Sequence, residues 1–258
     1  MKLRTTVSGL ALSAGLALTM APTGLAHAAP QAPGADKVAS HAAATTESEQ
    51  QRIETYWTES RMKNAIPAGA KVDSAAAKKP TATSSAVQET PQPRFGKVFF
   101  TLGGSNYVCS GTATNSSNGD VVTTAGHCVN EGPGAFATNF AFVPAYNNGA
   151  APYGTWTAQT LHTTTAWASS GDFDYDVGFA VMNENASGQS LTGVVGSYPI
   201  AFNLARGLSY KAYGYPAASP FNGQTLWSCS GTVMQDTYGG SQDQGLPCNM
   251  TGGSSGGG

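Results

Sequence analysis

The sequence has little charge, no basic cluster in its larger part and, after its first residues, no long hydrophobic run. Only 11% of its 258 residues are charged, and the formal net charge is −2. This composition excludes a coiled coil and argues against nucleic-acid binding. Beyond residue 28, no apolar run reaches the roughly 20 residues of a membrane-spanning helix. The sequence contains no HExxH motif or Cys/His cluster, and so we expect neither a metal nor a cofactor.

What is present indicates a secreted protein. Residues 1–28 have the form of a signal peptide: Lys2 and Arg4 precede an apolar stretch over 7–20, and Ala-His-Ala at 26–28 is a typical cleavage site. The four cysteines in this chain suggest two disulfides and an oxidising compartment. We therefore expect an extracellular protein with no membrane contact once the signal is removed.

The charge is unevenly distributed, which predicts a boundary near residue 94. Residues 1–94 hold ten Lys or Arg, whereas residues 95–258 hold three and are acidic. The segment 29–94 is rich in Ala, Ser, Thr, Gln and Pro, a composition that favours a linker or prosegment.

One short amphipathic helix is predicted inside this segment. Thr46 and Glu49 have the spacing of a capping box, and Pro67 ends the pattern. Ile53, Trp57 and Ile66 fall near one face. The helix is either a pro-helix that docks on the following domain or a marginal helix in a solvated linker.

After residue 95 the pattern changes to short β-runs between Gly- and Asn-rich turns, and Asn118-Gly119 is a strong hairpin signal. This pattern predicts an all-β sandwich or barrel, without a helix-length periodic segment. The predicted strands span residues 97–102, 111–115, 121–124, 140–144, 155–162, 177–181, 208–213 and 225–233.

Three local motifs carry candidate chemistry. His127 lies in Thr-Ala-Gly-His-Cys, Asp176 opens an apolar strand, and Ser255 lies in a Gly/Ser run. Read singly, each is more often structural. Read together in the order His, Asp, Ser, they have the order of a chymotrypsin-type triad. Asp172 and Asp174 compete with Asp176, which is favoured because it directly precedes the apolar strand, and Ser254 competes with Ser255, which is favoured because Gly-Gly follows it and Gly lies two places before it. The Asp-x-Asp-x-Asp spacing lacks the glycine and glutamate of an EF-hand loop.

On these motifs, and on Cys-Ser-Gly at 109–111, residues 95–258 resemble the secreted bacterial trypsin-like serine peptidases of the chymotrypsin fold. The resemblance implies two six-stranded β-barrels, the first over 95–187 with His127 and Asp176, the second over 188–258 with Ser255. It also implies disulfides Cys109–Cys128 and Cys229–Cys248.

The resemblance further implies a mechanism. Ser255 would be the nucleophile and His127 its general base, while Asp176 would orient the imidazole. The backbone N–H groups of Gly253 and Ser255 would form the oxyanion hole. The expected activity is that of a serine endopeptidase acting on protein or peptide substrates. The expected state is a monomer made as a zymogen, whose partner before activation is its own prosegment.

Two departures from the family pattern qualify this expectation. Position 254 is Ser where many members have an Asp that pairs with the N-terminus newly formed by activation cleavage, so activation through that ion pair is unavailable. Arg94-Phe95 is a candidate processing site. The sequence also stops three residues after Ser255, where the family continues with further strands. We therefore expect an incomplete second barrel and a frayed Ser255 loop. The alternative function is a catalytically inactive chymotrypsin-fold domain that serves as a binding or wall-associated protein.

Overall fold

The computed structural model describes residues 38–68, 84–236 and 242–258; the predicted signal peptide lies outside these residues. Its strands are β1 (Val38–Ala42), β2 (Ile66–Pro67), β3 (Val87–Gln88), β4 (Phe95–Leu102), β5 (Ser105–Thr114), β6 (Val121–Thr124), β7 (Thr138–Pro144), β8 (Trp156–Thr164), β9 (Gly178–Met182), β10 (Ser209–Gly214), β11 (Trp227–Thr232), β12 (Met234–Gln235) and β13 (Gln244–Gly245). Its helices are α1 (Glu47–Tyr56), α2 (Glu59–Asn64), α3 (Thr165–Ser170) and α4 (Leu191–Val195).

The all-β prediction is confirmed. Strands β8, β7, β4, β5, β6 and β9 follow one another in antiparallel pairs, and β9 pairs back to β8, which closes a six-stranded barrel. The eight strands predicted after residue 95 correspond to β4–β11 in order. Val98, Phe142, Leu161 and Ala180 are fully buried in the larger core cluster.

The second half of the chain contains smaller sheets that do not close into a barrel among the described residues. Among the described residues, β10 and β11 form a three-stranded sheet with β3, and β12 and β13 form a separate pair, so no second barrel closes there. Two disulfides are present: Cys109–Cys128 joins β5 to the His127 turn, and Cys229–Cys248 joins β11 to a following loop. Within the described residues, no helix is both long and apolar enough to cross a membrane.

The segment before residue 69 differs from the single predicted helix. The Thr46–Glu49 capping box is present, but the chain leaves the helix at Trp57 and Thr58 caps a second one. The break lets the Trp57 indole donate to Asn139 O at 2.6 Å. Ile66 is 48% exposed and does not belong to the buried face. We call residues 38–68 the leader segment.

The residues just before the barrel are part of the sheet of the second half. Val87 and Gln88 pair with β11, and the Glu89 carboxylate lies 2.6 Å from Lys211 Nζ. Hydrogen bonds from Lys211 and Ser228 lower the pKa of Glu89. A composition poor in apolar residues predicted a linker here, but main-chain pairing does not depend on side-chain hydrophobicity.

This arrangement also argues against processing between Arg94 and Phe95 in the folded protein. Arg94 O accepts a hydrogen bond from Ala113 N at 2.8 Å. The Phe95 ring is buried and stacks on Tyr213 at 4.3 Å. Cleavage of the Arg94–Phe95 bond would therefore first require the start of β4 to unpair.

Two short helices, α3 and α4, were not predicted. Neither helix has a periodic apolar pattern in the sequence. The first is capped by the residue that precedes it, and the second by a side chain distant in the sequence. Thr164 caps α3 through Trp167 N, and the Asp120 carboxylate accepts from Leu191 N at 2.8 Å. Burial raises the pKa of Asp120.

Lys97 is a buried cation whose removal we expect to stabilise the protein. It is 1% exposed, its Nζ lies 4.8 Å and 5.0 Å from the ring centroids of Tyr146 and Phe99, and burial lowers its pKa to about 7. The unfolded chain then holds more protons than the folded chain between about pH 7 and the ordinary lysine pKa near 10.5, so stability rises with pH across that window.

We expect Lys97→Met to raise the free energy of unfolding by about 1–4 kcal/mol at pH 6. It should also flatten the increase in stability between pH 7 and 9, a range in which Tyr146 and Tyr215, whose pKa values are raised by burial, stay neutral. Urea unfolding at several pH values measures both effects. An unchanged slope with pH would contradict the assignment to Lys97.

Candidate active site

His127 is held in a tight turn at the end of β6. A 3-10 turn over Gly126–Cys128 follows the strand, and the disulfide to Cys109 fixes the turn to β5. A Cβ atom at Gly126 would lie 2.8 Å from Asp176 Oδ1, so the close approach of these elements requires glycine.

Two hydrogen bonds join Asp176 to His127. Its Oδ1 accepts from His127 N, and its Oδ2 lies 2.7 Å from His127 Nδ1; both side chains are 15% exposed or less. Because an ionised carboxylate only accepts, the ring proton is assigned to Nδ1, which leaves the lone pair on Nε2. Nε2 is buried and has no hydrogen-bond partner among the described residues. The ring is therefore oriented with a free acceptor.

The competing aspartates have other contacts. Asp172 Oδ1 accepts from Asp174 N at 3.1 Å, and Asp174 Oδ1 accepts from Gln242 N at 3.2 Å. The hydrogen bonds to His127 are made by Asp176.

The loop that carries Ser255 lies against the His127 turn. Ser255 O lies 4.0 Å from Cys128 Sγ and accepts from Ser110 N at 2.8 Å. A Cβ at Gly256 would meet Ala125 N at 2.5 Å, which shows how closely the two loops pack. Ser254 donates its hydroxyl to Thr251 O within the same loop. These contacts differ from the frayed loop that the sequence suggested.

The two peptide groups whose N–H groups were predicted to form the oxyanion hole, Gly252–Gly253 and Ser254–Ser255, are oriented by hydrogen bonds to their carbonyl oxygens. Gly252 O accepts from Ala217 N at 2.7 Å, and Ser254 O accepts from Gly257 N at 3.0 Å. In a trans peptide the N–H points opposite to the C=O, so the N–H of Gly253 points away from Ala217 and the N–H of Ser255 points away from Gly257. Neither N–H donates within the described residues. Gly253 has φ +100°, a conformation that favours glycine.

Ser110 joins the Ser255 loop to both halves of the molecule, a contact that the sequence did not predict. Its buried hydroxyl donates to Gly253 O and accepts from Tyr215 N, each at 2.8 Å. Its carbonyl accepts from Thr124 Oγ1 at 2.8 Å. The position directly after Cys109 was visible in the sequence, but the two partners of the Ser110 hydroxyl lie more than a hundred residues away along the chain.

We expect Ser110→Ala to lower kcat about 10- to 100-fold with little change in KM, because a displacement of about 1 Å in a catalytic group can cost 100-fold. The matched control is Ser230→Ala, since Ser230 also follows a disulfide cysteine but is exposed. Steady-state kinetics on one peptide substrate measures both variants. Equal kcat values for the two would contradict a positioning role for Ser110.

A cavity of about 430 Å³ opens beside His127. Trp167 packs edge-on to the His127 ring at 6.2 Å, and its Nε1 donates to Asn130 O at 3.0 Å. The cavity is lined by His127, Trp167, Phe173, Phe100, Tyr107 and Ala68, among others. Nothing in the local sequence marked Trp167, because it reaches the site through the capped helix α3.

One cluster in the described residues brings metal-ligand residue types together: Cys109, His127 and Cys128. Both sulfurs are in the disulfide, and a metal binds the thiolate form. These residues therefore do not fit a metal site.

Similarity to two solved protease structures shows which family this chain belongs to. The protease Anisep from Arthrobacter nicotinovorans is 64% identical, with a TM-score of 0.65 over 67% of this chain and 78% of that protein. The thermostable serine protease AL20 from an extremophilic microorganism is 51% identical, with a TM-score of 0.62 over 64% and 77%. The chain belongs to the trypsin-like serine proteases of the chymotrypsin fold.

Two further proteins are similar to this serine protease. A Glu endopeptidase structure is 19% identical with a TM-score of 0.52, a likeness of fold. The extracellular metalloprotease of Bacillus subtilis (strain 168) is 30% identical over 135 residues, which is 52% of this chain; the chain spans 41% of that protein's length. No family model matches the chain.

Proposed function

We propose that the protein is a secreted endopeptidase that hydrolyses peptide bonds of protein substrates through Ser255, His127 and Asp176. The observation that carries the proposal is the His127 ring, which is fixed by Asp176 at Nδ1 and left without a partner at Nε2 beside the Ser255 loop. Apo sites often show long or unmade catalytic hydrogen bonds, so an open Nε2 is compatible with this role.

In the proposed reaction, Ser255 Oγ attacks the scissile carbonyl carbon while His127 Nε2 takes the hydroxyl proton. The N–H groups of Gly253 and Ser255 hold the oxyanion. Collapse breaks the C–N bond, and His127 protonates the leaving amine, which leaves an acyl-enzyme on Ser255. Water then attacks with His127 again as base, and the acid and free Ser255 are released.

Residues 29–94 are proposed to include the prosegment, and residues 1–28 the signal for secretion. The docked Ser255 loop supports an enzyme rather than the inactive binding domain, because its carbonyls are tied to Ser110 and Ala217 and its oxyanion donors are free. Substrate is the proposed partner, and the proposed state is a monomer.

The test is hydrolysis of denatured casein with two inhibitors. A fluorophosphonate, which acylates activated serines, should abolish activity, whereas a chelator such as EDTA should leave the rate unchanged because the bridged cysteines beside His127 offer no thiolate. Loss of activity with the chelator and persistence with the fluorophosphonate would overturn the proposed mechanism.

A further inference from the structure

The cavity beside His127 has aromatic walls and a carboxylate at its exposed side. Its buried walls include Phe100, Tyr107 and Trp167, and Phe100 stacks on Tyr107 with ring centroids 5.7 Å apart. Glu131 also lines the cavity and is exposed. Among the described residues that line this cavity, His127 is the only one that can carry a positive charge. The cavity is therefore apolar inside and acidic toward solvent.

The loop that carries Glu131 is fixed to the aromatic wall. Asn130 O accepts from Trp167 Nε1 at 3.0 Å, and Asn130 Nδ2 donates to Gly134 O at the same distance. Glu131 N donates to Ala135 O at 2.9 Å. A Cβ atom at Gly134 would lie 2.6 Å from Glu131 Oε2, so the carboxylate packs against the backbone of its own loop. These contacts hold the carboxylate at a defined place relative to the indole.

This combination of groups fits the side chain of lysine or arginine. Both have an aliphatic stem that packs on apolar surface and a charged head that stays on the solvent side. The charged head is attracted to the faces of aromatic rings and forms charge-assisted hydrogen bonds with a carboxylate. A neutral apolar side chain would contact the same walls but would gain nothing from the charge of Glu131.

We propose that this cavity is a specificity subsite for a basic side chain, lysine or arginine, of a substrate residue next to the scissile bond, and that Glu131 selects the charge. The inference rests on the function proposed above. Because His127 itself lines the cavity, a side chain held there belongs to a residue close to the bond that His127 and Ser255 act on. Trp167 lies 6.2 Å from the His127 ring, and Phe173 packs edge-on to Trp167 at 5.4 Å.

The experiment compares arginine with citrulline, a neutral side chain of nearly the same shape, in internally quenched peptides cleaved by the full chain. The two residues on each side of the scissile bond are varied one at a time, and mass spectrometry of the products locates the cleaved bond. Glu131→Gln is the test variant. Glu184→Gln is the matched control, because Glu184 is also exposed but lines a separate groove. Labelling of Ser255 by a fluorophosphonate reports the triad in each protein.

At one of these positions we expect the parent protein to cleave the arginine peptide with a kcat/KM about three- to tenfold higher than the citrulline peptide, the range for an exposed ion pair next to aromatic rings. Glu131→Gln should remove most of this preference by slowing cleavage of the arginine peptide only. Glu131→Asp, which keeps the charge, should retain it, and Glu184→Gln should leave it unchanged. Because Glu131 is exposed, its substitutions should leave the fold intact.

Equal kcat/KM values for the arginine and citrulline peptides at every position would overturn the subsite, and so would an arginine preference that Glu131→Gln leaves unchanged. In both cases, peptide cleavage with labelling of Ser255 would leave the proposed function standing. If the parent protein cleaves no peptide and Ser255 is not labelled, the proposed function is overturned, and the inference with it.

Discussion

Replacing His127 with alanine should lower kcat about 10⁶-fold, the scale seen when a triad base is removed from a serine protease. In the proposed mechanism His127 Nε2 takes the Ser255 proton, and this atom has no hydrogen-bond partner among the described residues. The fold should survive, because the turn is held by the Cys109–Cys128 disulfide and by the backbone bond from Cys128 N to Ala125 O. Single-turnover kinetics and thermal melting measure the two effects.

The control is His162→Ala. His162 lies on β8, where its Nδ1 contacts Ser40 Oγ at 2.8 Å and its Nε2 contacts Thr160 Oγ1 at 2.9 Å. Burial lowers the pKa of His162, but none of its contacts reaches Asp176. We expect kcat to change less than about threefold, as for substitutions away from the chemistry. A loss as large as that of His127→Ala would show that the base is wrongly assigned.

Replacing Ser255 with alanine should lower kcat by a similar factor of about 10⁶, because the nucleophile and base act as one unit. Ser254→Ala is the matched control at the neighbouring position. The Ser254 hydroxyl is used within its loop by Thr251 O, and its Cβ lies against Gly214, so it is turned toward β10.

We expect Ser254→Ala to keep kcat within about tenfold of the parent, since it removes one hydrogen bond worth about 0.5–1.5 kcal/mol. Hydrolysis of one fluorogenic peptide by both variants is the measurement. The opposite ranking, with Ser254→Ala inactive and Ser255→Ala active, would move the nucleophile to position 254.

The barrel strands and the histidine turn were predictable because their signals are local. Short β-runs between Gly- and Asn-rich turns mark β4–β9, and Thr-Ala-Gly-His-Cys is a continuous motif. Ser110 and Trp167 were not predictable, since their roles depend on partners such as Tyr215 and Asn130 that only the fold brings close.

The segment before the barrel shows the limit of composition as a guide. Residues 84–94 look like a linker, yet Val87 and Gln88 form a strand through main-chain bonds to β11. In the leader segment, the capping box was predictable from Thr46 and Glu49, whereas the docking of Ile66–Ala68 on β5 was not. Such pairings depend on a sheet edge elsewhere in the chain.

The proposal that Ser255 is a nucleophile activated by His127 is tested most directly by mapping a fluorophosphonate adduct. The adduct is located by mass spectrometry in the parent protein and in His127→Ala. A serine hydroxyl is a weak nucleophile unless an adjacent base takes its proton, so labelling requires the pair. We expect one adduct, on Ser255, in the parent protein and its loss in His127→Ala. An adduct on another serine, or full labelling of Ser255 without His127, would contradict it.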